Sequence, residues 1–130
     1  MKAKLLICIG VPLVTIALLI YKWAFSLEER ARFDSPDARY EAVIERYRYN
    51  NITFRPGPGS GSDYRCFLSI YEKESGEHMG TAPVFIAAWA YDLVWTEDGA
   101  YIQARPGPEW NFVDKTCTYI DERGNEVSGL

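Results

Sequence analysis

The stretch from Leu5 to Tyr21 constrains this chain most: LLICIGVPLVTIALLIY, 17 residues without a charge. At about 1.5 Å per residue, and letting Lys22 snorkel so that the run reaches Phe25, it makes roughly 25 to 31 Å of helix, close to the hydrocarbon thickness of a bilayer. Tyr21, Trp23 and Phe25 suit a headgroup region, and Pro12 fits a kinked membrane helix. The rival is a cleavable signal peptide, with a basic start at Met1–Lys4 and a poor cleavage site at Ala24-Phe25-Ser26. The length of the run, Lys22 and bulky Trp23 favour retention. Cys8 follows Ile7, where a lipoprotein cysteine would need a small residue. Residues 1–25 are therefore expected to be an N-terminal transmembrane anchor or uncleaved signal, meeting the lipid bilayer through residues 5–25.

The 105 residues that remain can build one modest core and exclude a multidomain enzyme. They hold 16 of the 19 aromatics, too many for a solvated polymer. All 18 acidic residues lie after Ser26 against 11 basic ones, so this part carries −7 where the whole chain carries −4. A nucleic-acid binder would need the opposite sign. Basic residues flank both ends of the apolar run almost equally, so charge sets orientation weakly. Cys66 and Cys117 are the only cysteines after the run, and such a pair in a small exported domain reads as a bridge, the alternative being two buried, reduced thiols in a cytoplasmic domain. Closing that loop would add roughly 4 kcal/mol in the chain-entropy picture. The expected placement is single-pass in the inner membrane, with the N-terminus cytoplasmic and the C-terminal domain periplasmic.

Ser26–Phe33 (SLEERARF) reads as a short charged continuation of the helix, stopped by Ser35-Pro36-Asp37, which makes 26–37 a linker. Beyond it the period changes to two. Arg39–Tyr49 sets Tyr40, Ala42 and Ile44 against Glu41 and Glu45. Tyr64–Lys73 sets Cys66, Leu68 and Ile70 against Phe67 and Tyr71, so both faces of that strand are candidates for cover. Turn chemistry follows at Glu74–Glu77. Ala82–Trp95 is β-rich, with 84–90 open to a helical turn, and Thr96-Glu97-Asp98-Gly99 makes the clearest hairpin, leading into a strand at Tyr101–Arg105. Lys115–Ile120 alternates again and closes on Asp121–Asn125. Five to seven short strands predict an all-β fold, a mainly antiparallel small sandwich or curled sheet over 38–130. Arg55-Pro56-Gly57-Pro58 recurs as Arg105-Pro106-Gly107-Pro108, but its offset does not match the other internal similarity, so no duplication explains both.

Chemistry is sparse. His78 is the only histidine and there is no G-x-S-x-G, which argues against a serine hydrolase; one histidine without a C-x-x-C pair cannot make a usual zinc site. Pro56–Ser62 packs three glycines, two prolines and two serines, but the lysine of a phosphate-binding loop is missing, so it reads as a surface or recognition loop. Asn51-Ile52-Thr53 matches a glycosylation sequon. The acid pairs Glu72 with Glu74 and Glu97 with Asp98 sit at polar turns, where carboxylates face solvent. No catalytic residue, metal ligand or cofactor is expected. An acidic surface can steer the chain toward a basic protein, with aromatics supplying contact area. Trp89, Tyr91 and Trp110, with Asp92, Asp98 and Glu109 beside them, are the candidate partner-binding residues; Trp95, just before a turn, reads as core.

A short anchor, Ser35-Pro36-Asp37 with Tyr40, a loop with Gly59, Gly61, Ser62 and Asp63, and Trp95–Gly99 together make the chain resemble small membrane-anchored bacterial envelope proteins, some of them similar to immunity proteins against secreted periplasmic effectors. The resemblance spans residues 34–104 and rests on turn chemistry. It implies a non-enzymatic, membrane-anchored extracytoplasmic binding protein that occludes a toxic effector. A structural or accessory envelope protein acting through its transmembrane helix is the other expectation.

Overall fold

The computed structural model describes residues 2–51, 65–104 and 106–129, with side chains along the first helix described from Gly10 onward. Among the described residues, helix α1 (Lys2–Ala24) leads into nine strands: β1 (Leu27–Asp34), β2 (Tyr40–Tyr47), β3 (Cys66–Glu72), β4 (His78–Val84), β5 (Leu93–Trp95), β6 (Gly99–Ile102), β7 (Glu109–Asn111), β8 (Thr116–Ile120) and β9 (Glu126–Gly129). Short 3-10 helices occupy Arg48–Asn51 and Ala87–Asp92. The strands form two antiparallel meanders, β1-β2-β3-β4 and β5-β6-β7-β8-β9, each pairing only sequence neighbours. The mainly antiparallel, sandwich-like expectation for the body of the chain is met.

Alternation explains the layering. Tyr40, Ala42 and Ile44 of β2, Cys66, Leu68 and Ile70 of β3, and Met79, Ala82 and Val84 of β4 form the inner face of the first sheet. Leu93, Ala100, Ile102, Trp110, Phe112 and Cys117 answer from the second. The Tyr40 and Phe112 rings stack across the gap at 4.0 Å between centroids, and Trp110 Nε1 donates to the Gly80 carbonyl at 3.1 Å. Gly80 also lets the sheets close: a Cβ there would lie 2.5 Å from the Cβ of Cys117, and its φ of +115° suits glycine alone.

The structure corrects four expectations. Among the described residues no helix is long and apolar enough to cross a membrane. This overturns the single-pass inner-membrane placement and the transmembrane character given to residues 5–25. Pro12 and Lys22 fall within α1.

The second correction concerns Ser26–Phe33, which is strand rather than helix. Phe25 N donates to Tyr21 O and Ser26 N to Trp23 O, ending α1, and β1 then pairs along β2 from Leu27 opposite Tyr47 to Asp34 opposite Glu41. Its residues are good helix formers individually, but Ala31 and Phe33 find the core only as a strand. A register shift between Glu29 and Ala31, with charges along the edge, disfavours further pairing there. The linker expected over 26–37 thus supplies an edge strand and its turn.

Third, no disulfide joins Cys66 and Cys117; both are free, buried thiols. Cys66 pairs opposite Val84, whereas Cys117 packs on Gly80, four positions along β4. At about 3.3 Å per residue that is more than 10 Å, beyond the roughly 7 Å between Cα atoms that a bridge tolerates.

Fourth, Trp110 is core. It is 1% exposed.

The turns match expectation in detail. Ser35 Oγ donates to Asp37 Oδ1 at 2.6 Å and accepts from Tyr40 N, while Arg39 N donates to Asp37 Oδ1, so the β1–β2 connection is tied by its own side chains. Thr96 N donates to Gly99 O in the β5–β6 hairpin. The glycine-rich loop, the sequon beyond Asn51, and Arg55 and Arg105 lie outside the described residues.

Candidate functional site

The 3-10 helix Ala87–Asp92 is a display element. Ala90 is fully buried and Leu93 follows it into the core, so the backbone is pinned, while Trp89 (38% exposed) and Tyr91 (61% exposed) project on either side. Two residues apart on a threefold helix, they cannot share a face. Tyr91 turns toward Phe33 of β1, with centroids 6.4 Å apart, and Trp89 turns toward Phe85 and the Pro106–Pro108 segment in a small apolar crevice. Asp92 continues the exposed run.

The other expected contact residues disperse. Asp98 sits at the β5–β6 turn, its carbonyl accepting from Phe112 N at 2.8 Å. Glu109 lies opposite Tyr101 on the outer face of the second sheet. Only Trp89, Tyr91 and Asp92 share one element, and Trp110 leaves the set altogether. Trp95 is half-buried against the core, 6.3 Å from the Phe112 ring.

Next to Trp89, and not anticipated from sequence, is an open groove of about 490 Å³ between β3–β4 of the first sheet and the β8–β9 corner of the second. Its apolar lining is Phe67, Pro83 and Tyr119; its charged rim is Arg65, Asp121, Glu122 and Arg123. Strand pairing sets Phe67 opposite Pro83 on the side of the first sheet that faces away from the core. Pro83 and Tyr119 also line the Trp89 crevice, and the Arg65 guanidinium lies 5.1 Å above the Phe85 ring, so the two hollows are neighbours with shared walls. The alternation of Phe67 and Tyr71 with the core residues of β3 signals a second covered face; nothing in the sequence signals the approach of Tyr119 and Arg123, which is a product of sheet packing.

The electrostatics of the rim follow from its turn. Asp121 Oδ1 accepts from Arg123 N and Asn125 N, each at 2.8 Å, and Oδ2 accepts from Asn125 Nδ2 at 3.2 Å. These donors, the Asn125 backbone first, hold the Asp121 carboxyl below its ordinary value. Glu122 pairs with Arg65. Arg65 Nε is buried without a hydrogen-bond partner, and among the described residues Arg123 has no acidic partner.

His78 is structural in its contacts. Its Nε2 meets Thr81 Oγ1 at 2.8 Å, and Thr81 Oγ1 meets Ser69 Oγ at 2.6 Å. Threonine stands between histidine and serine, and Ser69 is 2% exposed, so His78 does not reach the serine, while Thr81 is half-buried at the groove. Among the described residues no three His, Cys, Asp or Glu side chains gather to hold a metal. Compared with known proteins, the chain matches no family model, no curated protein and no solved structure.

Proposed function

We propose that this chain is a non-catalytic binding protein of the immunity or inhibitor kind, acting by covering the working surface of a toxic protein effector. One observation carries the reading: Trp89 and Tyr91 are held out on a backbone that buried Ala90 fixes in place. Rigid, amphipathic rings lose little conformational freedom on docking and dominate the energy of most interfaces. Asp92, and the overall charge of −4, favour approach to a basic partner. The test is co-expression with candidate toxic effectors. The intact chain restores growth against one of them, and W89A and Y91A each weaken the complex by tenfold or more while leaving the circular dichroism spectrum unchanged. Equal protection by a folded W89A/Y91A double variant refutes the proposal.

A second reading has its own support. Val14, Leu18, Ile20 and Tyr21 of α1 are each at least 60% exposed. Such a helix suits an accessory protein that engages another component through α1, in which case substitutions on α1, and not at Trp89, abolish association.

A further inference from the structure

We propose that the groove beside Trp89 receives an extended, carboxylate-bearing segment of a protein partner, so that this part of an acidic protein recognises acid. The inference rests on the contact function proposed above and names the chemistry of its ligand. Three features support it. The apolar lining of Phe67, Pro83 and Tyr119 offers ring faces and a flat proline edge, the surfaces on which a peptide's side chains pack.

Charge is the second feature. The acids of the rim are committed: every described acceptor contact of Asp121 serves its own turn, and Glu122 is taken by Arg65. Among the described residues Arg123 has no acidic partner, and Arg65 Nε is buried without one. A guanidinium prefers a planar carboxylate, to which it donates two parallel hydrogen bonds. Because Glu122 is 66% exposed, its pairing with Arg65 is weak and open to exchange for an incoming carboxylate.

The third feature is shape. The groove is open to solvent along β4, which suits a chain passing through it better than an enclosed small molecule. β4 is an edge of its sheet and carries Pro83, which has no N–H to donate. Recognition therefore runs through side chains rather than by adding a strand to the sheet.

The test uses the full chain and two blocked peptides, one alternating glutamate with tyrosine and its glutamine twin, titrated by amide NMR or calorimetry at low and high salt. The glutamate peptide is expected to bind at least tenfold more tightly than its twin, with the advantage shrinking as salt rises. R123Q removes most of that advantage and R123K restores part of it. E122Q, which releases Arg65, tightens binding of the glutamate peptide severalfold. Equal binding of the two peptides, no binding of either, or indifference to both R123Q and E122Q overturns the inference. A W89A variant that fails to protect against an effector, measured separately, bears on the contact function alone. Twins that bind equally yet both weaken in W89A leave contact standing and remove only the carboxylate.

Discussion

Replacing Gly80 with alanine tests the packing of the two sheets directly. The added methyl carries two separable costs. Its φ of +115° lies outside what an L-residue with a Cβ adopts comfortably, and such backbone strain costs about 1 to 3 kcal/mol. The new Cβ would also lie 2.5 Å from the Cβ of Cys117, where carbon atoms ordinarily rest about 3.5 to 4 Å apart. The sheets must therefore part locally by about 1 Å, which costs a further 1 to 3 kcal/mol or so of overpacking and stretches the bond from Trp110 to the Gly80 carbonyl. Alanine gives back about 0.4 to 1 kcal/mol by restricting the unfolded chain. The net expectation is a loss of about 1 to 5.5 kcal/mol, a large share of the stability of a small domain at its upper end.

The two costs come apart in urea titrations followed by tryptophan fluorescence. G124A is the backbone control: Gly124 has φ of +80° and nothing within 4 Å of where its methyl would sit, so its cost is confined to backbone strain, about 1 kcal/mol. The contact cost is isolated by a double-mutant cycle of G80A with C117G, because removing the Cys117 Cβ makes room for the new methyl without altering φ at position 80. A favourable coupling of at least about 1 kcal/mol is expected. If G80A costs no more than G124A, or the cycle shows no coupling, the close approach of β4 and β8 at this point is wrong, and with it the reason why the cysteines do not pair.

Trp110→Phe leaves the Gly80 carbonyl buried without its donor and is expected to cost about 2 to 4 kcal/mol in urea titrations, without changing the ligand affinity of the folded fraction. Burial pushes the Cys66 thiol up to about 11 and Cys117 up to about 12. The folded state therefore holds these protons more tightly than the unfolded chain, so stability is intact below the unfolded thiol range near pH 8.5 and falls as pH rises through 11 to 12. Both thiols should resist alkylation until the chain unfolds and then react together; labelling of two thiols only under denaturing, non-reducing conditions checks this, and failure to label them would restore the bridge. Hydrogen bonds, that from Ser35 first, hold the Asp37 carboxyl below its ordinary value. Its contribution is present above about pH 4 and is lost as pH falls through the lower folded value, so Asp37→Asn should lower the neutral plateau and flatten the acid limb of the stability curve.

The sequence is legible where one local rule decides the outcome. Ser35 and Asp37 specify their turn because both partners lie within five residues, and β2 and β3 follow from alternation that buries Ala42, Ile44, Leu68 and Ile70. Ser26–Phe33 misleads because its propensity is helical while its two apolar anchors, Ala31 and Phe33, reach the core only in extended chain. β7 and β9 escape notice for a different reason: three and four residues long, they carry too little alternation to detect, and pairing with β8 defines them. Trp110 reads as a contact residue because it stands between Glu109 and Asn111, both exposed. Strand period alone sends it inward, and recognising β7 would have placed it.

The same distinction bears on the candidate site. Net charge is a sum over the chain and speaks to long-range steering, which falls off over about 8 Å at physiological salt. A docking groove is decided at shorter range, by which donors and acceptors are left over once the fold has used the rest. Around Asp121 the turn consumes the acceptors, Arg65 consumes Glu122, and among the described residues Arg123 remains. On the two proposals together, the acidic chain steers toward a basic partner through Asp92 and its neighbours while its groove selects a carboxylate. A single partner satisfying both must carry acid and base in separate patches, spaced as the groove is from Tyr91. Charge-reversal at Asp92 should then slow association, whereas loss of Arg123, which on the proposal bonds directly to the bound carboxylate, should speed dissociation, since charges outside the contact act mainly on encounter and directly bonded pairs on residence. Surface plasmon resonance on the two variants separates these, and a matched effect on both rates from either one would mean that steering and docking are not divided between the two regions.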